Sequence, residues 1–194
     1  MDDVFNSNFF YLSARIGIAS MKSFSFAPIA TYDANVLILG TMPGTKSLEL
    51  NQYYGHNQNN FWKFMFDIYK TDFSNDYETK KALLQNNKIA LWDVLQFCDR
   101  VGSLDSAIKN EISNDFESFL EQHPNIKTIL FNGQKAAAFF KKYVHLKKDY
   151  QLITLPSTSP ANASKSYESK LAQWKIISAL QLEKNKIYGN KITR

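Results

Sequence analysis

The fold is decided by residues 35–44, NVLILGTMPG. Asn35 to Leu39 is a short, unbroken apolar run without polar alternation, the pattern of a strand covered on both faces in a parallel sheet. It stops at Gly40, and the turn-forming pair Pro43 and Gly44 follows. Three later runs repeat the pattern: Lys88 to Trp92, Ile126 to Phe131 and Tyr150 to Leu155, each running into a polar or turn-forming segment. Between them lie stretches of helical periodicity, Asn60 to Tyr69, Tyr77 to Asn86, Asn114 to Gln122, Gln134 to Tyr143 and Glu168 to Leu182. Strands alternating with helices predict class α/β, a three-layer αβα sandwich around a four-stranded, mostly parallel sheet with right-handed connections. Asn114 suits a helix N-cap, with Asp115 opening an acidic first turn and Glu117 at the third helical position.

A chain of 194 residues fits one domain with a full core. Apolar residues make up 44% and aromatics 14%, with 15 Phe and 10 Tyr, which excludes a disordered chain. Lys plus Arg number 23 against 18 Asp plus Glu; the net charge of +5 permits a polyanionic partner without requiring one. Cys98 is the single cysteine, so an internal disulfide framework and all-cysteine zinc or iron–sulfur sites are excluded; it reads as a buried small apolar residue. No apolar run reaches the roughly 18 to 20 residues of a membrane span, and Met1 to Ser20 lacks a signal-peptide pattern. The expectation is a cytoplasmic monomer. Residues 1–20 show no clean period and precede Met21, so they are expected to form a disordered or loosely packed extension, with one domain over 21–194.

In open parallel sheets ligands bind beyond the carboxyl ends of the strands, so the loops after strands are the places to look for chemistry. The loop after the first strand runs Gly40-Thr41-Met42-Pro43-Gly44-Thr45-Lys46-Ser47-Leu48. Its glycines let backbone N–H groups approach a ligand closely, but neither the GxxxxGK[ST] nor the GxGxxG spacing of nucleotide-binding loops is present. Downstream, residues 52–62 (QYYGHNQNNFW) crowd aromatics, amides and His56 together. Aromatic faces stack on extruded bases and amides read base edges, although Phe61, Trp62, Met65 and Phe66 equally suit core packing on a helix face. The loop after the last strand, Pro156-Ser157-Thr158-Ser159-Pro160-Ala161-Asn162-Ala163, offers hydroxyls and amides suited to phosphate.

The segments GTMPGTKSL and QYYGHNQNNFW resemble the first motif of the uracil-DNA glycosylase superfamily, closest to its mismatch-specific and hypoxanthine-removing branches. LPSTSPANA resembles the second motif, which inserts into DNA as the base is flipped. ALWDVL, GSLDSAI and FNGQKA are similar to hypoxanthine-type members, and the match spans about Phe26 to Leu180. The resemblance implies a four-stranded parallel sheet between helices, no metal or cofactor, and DNA containing deaminated bases as the partner. One departure is sharp. Where uracil-removing members carry Asn or Asp in the first-motif turn, this chain has Met42, whose thioether can neither accept a proton nor orient water. Hypoxanthine-type members share that apolar substitution, and Leu155 replaces the histidine that begins the second motif in some relatives.

By this resemblance Tyr54 is the base-stacking residue, Gly40, Thr41, Met42, Pro43 and Gly44 line the base pocket with His56 and Phe61, and Ser47, Pro156, Ser157, Thr158, Ser159 and Pro160 contact DNA, the last loop also helping to fill the gap left by the base. Cleaving an N-glycosidic bond develops negative charge on the departing base, so one well-placed polar group suffices. Asn114, at a helix N-terminus, and Asn59, before Phe61-Trp62, are the catalytic candidates; a helix cap and a loop brace are their structural alternatives. The leading expectation is a monofunctional glycosylase for hypoxanthine. A uracil or mismatched-thymine glycosylase and a non-catalytic DNA-damage-binding protein are the alternatives.

Overall fold

A computed structural model describes residues 21–100, 102–162 and 165–181. The expected extension, residues 1–20, and the expected end of the last helix at Leu182 lie outside the described residues. In chain order the elements are β1 (Met21–Phe24), β2 (Val36–Gly40), α1 (Thr45–Leu50), α2 (Phe61–Tyr69), α3 (Tyr77–Asn86), β3 (Ile89–Asp93), β4 (Leu95–Arg100), a 3-10 turn (Asp105–Ala107), β5 (Lys109–Ser113), α4 (Phe116–Gln122), β6 (Thr128–Asn132), α5 (Gln134–Tyr143), β7 (Gln151–Leu155) and α6 (Tyr167–Trp174).

Four strands pair in the order β3-β2-β6-β7, all parallel. Every residue of β2, β3 and β6 is buried, which is why these strands read as unbroken apolar runs. The register aligns Val36 with Ile89 and with Thr128. Because side chains alternate between faces, Leu37, Leu39, Ala90, Trp92, Ile129 and Phe131 share one face. There Trp92 packs on Phe116 and Phe119 of α4, and Phe131 on Phe140 of α5, with ring centroids 4.9 to 5.3 Å apart. The other face carries Val36, Ile38, Leu91 and Leu130 and ends in Gly40, Asp93 and Asn132. Helices α2 and α6 meet through Phe61, Phe64 and the fully buried Trp174, and α3 packs on α2 and β3 while α6 contacts β7.

A second sheet, β1-β4-β5, is antiparallel and was not expected from the sequence. Register shifts between Leu95 and Phe97 and between Phe97 and Asp99 break the two-residue alternation that would have announced β4. Cys98 lies buried on this strand. The N-cap of α4 is corrected by one residue: Asp115 accepts from the Ser118 amide at 3.0 Å, and Asn114 stands outside the helix. The last helix also departs from expectation. Ser166 caps α6, a turn interrupts it at Lys175, and helical geometry resumes over 176–181. No helix of the described residues is long and apolar enough to cross a membrane.

Candidate active site

Gly40, Asp93 and Asn132 end three neighbouring strands on one face, and the loops that follow close around them. The result is an open cleft of about 420 Å³, within the range of small-ligand sites. The loop after β2 (Gly40 through Gly44, with Ser47), the segment carrying Tyr54, His56 and Asn59, and the loop after β7 (Ser157 through Pro160) all line it. These expected site residues, far apart in sequence, are brought together. Three others are not on the cleft wall. Phe61 is fully buried beneath Tyr54, their rings stacked at 4.1 Å. Pro156 turns its carbonyl to Trp174 Nε1, 2.9 Å away. Asn114 donates through Nδ2 to the Asp93 carbonyl at 2.8 Å and to Ser25 Oγ at 3.3 Å, bracing the strand end from behind.

Each wall is fixed by identifiable bonds. Tyr54 has φ 52°, a left-handed conformation uncommon for a side chain of its size, and the ring is held in place by Phe61 behind it. Trp62 Nε1 donates to the Tyr53 carbonyl at 2.8 Å, and the Tyr53 hydroxyl reaches the carbonyls of Phe26 and Ala27. Asn59 lines the cleft, and its Oδ1 accepts from the Phe61 amide at 3.0 Å, so that oxygen serves the start of α2. The Gln58 backbone amide donates to His56 Nδ1 at 3.2 Å, which orients the ring.

The loop after β7 is clamped from below. Asn132 Nδ2 donates to Thr158 Oγ1 at 2.8 Å, and the Thr158 amide returns a bond to Asn132 Oδ1 at 2.9 Å. The Asn60 amide donates to the Thr158 carbonyl, and Lys170 donates to the carbonyl of Asn162. Gly133, at φ 101°, lets this loop come close: a Cβ there would meet Ser157 Cβ at 2.9 Å.

The floor is a buried carboxyl. Asp93 is 3% exposed, and its enclosed Oδ2 has no hydrogen-bond partner among the described residues. A Cβ on Gly40 would sit 2.3 Å from Asp93 Oδ1 and 3.0 Å from the Tyr54 hydroxyl, so only glycine lets the three groups meet. Burial pushes the Asp93 carboxyl up to about 8; Asp105 adds to the shift and Arg100 opposes it. The Tyr54 hydroxyl is likewise pushed up, by burial first and then by Asp93. Arg100 is buried, donates to the Pro43 carbonyl, and lies 4.0 Å from the Asp105 carboxylate. It thereby ties the loop after β2 to the segment before β5. Asp105 is held above the usual carboxylate range by burial, with Thr41 and Arg100 pulling the other way.

Sequence reasoning missed Asp93, Arg100, Asp105, Asn132 and Lys135 as site residues, yet all but Arg100 line the cleft. The signal was available. Asp93 and Asn132 directly follow the second and third apolar runs, and the rule that chemistry gathers after strands applies to them as fully as to Gly40. Among the described residues no group of three or more His, Cys, Asp or Glu side chains could hold a metal ion.

Met42 is 7% exposed and packs into the core at the turn beside Gly40. The first-motif turn thus offers a thioether where a polar side chain could stand, while the Asp93 carboxyl and the Tyr54 hydroxyl both meet at Gly40. Comparison with known proteins agrees with this architecture. The family model described as the uracil DNA glycosylase superfamily matches residues 27–181. A hypoxanthine DNA glycosylase of Methanosarcina barkeri is 36% identical over 155 residues, covering 79% of this chain and 96% of its own. One from Methanosarcina acetivorans is 37% identical over 150 residues, covering 75% and 92%. A solution NMR structure from Methanosarcina acetivorans, described as a candidate uracil DNA glycosylase, superposes with TM-score 0.67 at 33% identity, covering 80% of this chain and 96% of that one. The chain belongs to the uracil DNA glycosylase superfamily.

Proposed function

We propose that this chain is a monofunctional DNA glycosylase that extrudes hypoxanthine, the deaminated form of adenine, from DNA and hydrolyses its N-glycosidic bond to begin base excision repair. The observation that carries this reading is the convergence of the loops after β2 and β7 on one cleft that holds an aromatic platform and a buried carboxyl. The choice of hypoxanthine is supported by the relatives' names and by Met42, which occupies the place of a water-orienting side chain.

Tyr54, backed by Phe61, offers a flat face for a flipped base. A carboxyl group pushed up to about 8 is mostly protonated at neutral pH. In that state Asp93 donates a proton or hydrogen bond to a purine acceptor, N7 or O6, and so stabilises the base as negative charge builds on it. Departure of the purine leaves oxocarbenium character on the sugar, and water completes the hydrolysis. Asn59, which lines the cleft, orients that water through its amide nitrogen, the end of the side chain that α2 does not use. Asn114 acts through Asp93, whose backbone it holds. Ser47, Ser157 and Ser159 supply hydroxyls to the phosphates flanking the lesion.

Oligonucleotides containing one deoxyinosine, one deoxyuridine or one G·T mismatch, each treated with alkali after incubation, test this reading. Strand breaks from deoxyinosine alone, and only after alkali, are expected. Breaks from deoxyuridine or the mismatch, or tight binding with no abasic product, would contradict it.

A further inference from the structure

Hypoxanthine is adenine with its 6-amino group replaced by oxygen, and the exchange reverses two neighbouring positions on the edge by which a flipped base is read. Hypoxanthine offers an acceptor at O6 and a donor at N1–H, whereas adenine offers a donor at N6 and a bare lone pair at N1. A site that separates the two must set a hydrogen-bond donor next to an acceptor, and the acceptor must be one that cannot become a donor. An ionised carboxylate is such a group. The carboxyls among the cleft-lining residues are Asp93 and Asp105, and their surroundings make them unlike. Asp93 is enclosed and mostly protonated at neutral pH. Asp105 opens the 3-10 turn with its side chain 35% exposed, beside a permanent positive charge.

That charge is Arg100. A guanidinium does not lose its proton in a protein. Its Nη2 donates to the Pro43 carbonyl, while Nε and Nη1 are buried with no hydrogen-bond partner among the described residues. A buried cation in this state is costly unless a counter-charge stands near it. Arg100 Nη1 lies 4.0 Å from Asp105 Oδ1, and Asp93, the other cleft carboxyl in its field, is the one that keeps a proton. The counter-charge is therefore Asp105. Two carboxyls that repel each other beside one cation divide into one ionised and one neutral group. The segment that carries Asp105 is also held in place: Ser103 Oγ accepts from the Thr45 amide at 2.8 Å and donates to Thr45 Oγ1 at 2.9 Å, and the Ala107 amide donates to the Leu104 carbonyl at 3.0 Å.

We infer that Asp105 is the residue that separates hypoxanthine from adenine, its carboxylate accepting from N1–H while the Asp93 carboxyl donates to O6. An adenine in the same place sets its N1 lone pair against a negative charge. Guanine presents the same two groups as hypoxanthine, so Asp105 distinguishes hypoxanthine from adenine and not from guanine. The inference rests on the reading of the cleft as a pocket for an extruded base. The test is binding of the full chain to duplexes with one 2′-fluorinated nucleotide, which resists cleavage, bearing hypoxanthine, 1-methylhypoxanthine or adenine. Each stands opposite an abasic spacer, so that pairing strength does not enter, and fluorescence anisotropy gives the Kd. The parent is expected to bind the hypoxanthine duplex about ten- to a hundredfold more tightly than the other two, which lack the N1 proton, as for one hydrogen bond to a charged group. Asp105→Ala weakens hypoxanthine binding by that factor and leaves the other two within about threefold, which also shows the variant to be folded. Asp105→Asn, whose amide presents either an oxygen or an N–H, binds hypoxanthine and adenine alike. Equal binding of all three duplexes by the parent, or an equal loss on all three in Asp105→Ala, overturns the inference. If the alanine variant does not fold, the asparagine variant decides: a preference for hypoxanthine over adenine kept at the parental level overturns it. Excision from deoxyinosine, measured alongside, keeps the two readings apart. A parent that excises hypoxanthine but binds the three duplexes alike sinks the inference alone, and a parent that prefers hypoxanthine but excises nothing sinks the glycosylase reading alone.

Discussion

Replacing Asp93 by Asn keeps the side chain's shape and removes its titration. The carboxyl is pushed from 3.8 up to about 8, by burial first and by Asp105 second. Since the folded value lies above the unfolded one, the native state keeps a proton that the unfolded chain has lost throughout the interval between them. Stability conferred by that proton is complete below about pH 4, falls as the pH rises, and is gone above about pH 8. Four pKa units at about 1.36 kcal/mol each set a ceiling of about 5 kcal/mol, and relaxation of the site brings the expected difference to about 2 to 4 kcal/mol. Urea unfolding at pH 5 and pH 8.5 should show the parent losing that much more stability than Asp93→Asn over the interval. Titrating groups remote from the cleft are common to both proteins and cancel, and only Asp105 and Tyr54, which feel the Asp93 charge, change with it. The same substitution removes the acid, so excision from deoxyinosine should slow by a factor of about 10² to 10⁴. In the parent, the rate should decline as the pH rises through about 8, and the variant should lack that decline. Parallel pH profiles of stability in the two proteins, or a variant that excises at the parental rate, would refute the reasoning.

Three further outcomes follow from the packing around the cleft. Gly40→Ala places a methyl 2.3 Å from Asp93 Oδ1 and should cost about 1 to 3 kcal/mol of stability with loss of most activity, checked by chemical denaturation and the gel assay. Asn132→Ala removes both bonds to the buried Thr158, so stability should fall by about 2 to 4 kcal/mol and proteolysis within the loop after β7 should accelerate; unchanged protease sensitivity would show that the loop does not depend on this clamp. Tyr54→Phe retains the stacked ring and should keep excision within about threefold, whereas Tyr54→Ala should raise the half-saturating DNA concentration about tenfold or more through the lost stacking.

The parallel sheet was legible because strands buried on both faces leave unbroken apolar runs, as in Val36–Gly40 and Thr128–Asn132. The antiparallel sheet was not, because bulges in β4 destroy its alternation. Helix α1, Thr45–Leu50, was also hidden within what read as a continuous loop. Of the site, the residues carried by motifs (Gly40 through Gly44, Tyr54, Ser157 through Pro160) were found from their neighbours in sequence. Asp93 and Asn132 stand in the quoted segments ALWDVL and FNGQKA and directly follow apolar runs, so the sequence marks their positions, while the register, which sets Gly40 beside Asp93 and Asn132 on the same face, shows that they meet. Asn114 misled for a related reason. Its residue type fits a helix cap or a catalytic amide, while the fold uses it to hold the Asp93 backbone.

The most direct test of the central claim is mass spectrometry of the products formed from a duplex with a single deoxyinosine. The expected result is free hypoxanthine in equal amount to an uncleaved strand bearing one abasic site, with neither formed by Asp93→Asn on the same timescale. Recovery of the intact oligonucleotide from the parent protein, or release of the base at undiminished rate by the variant, would contradict it.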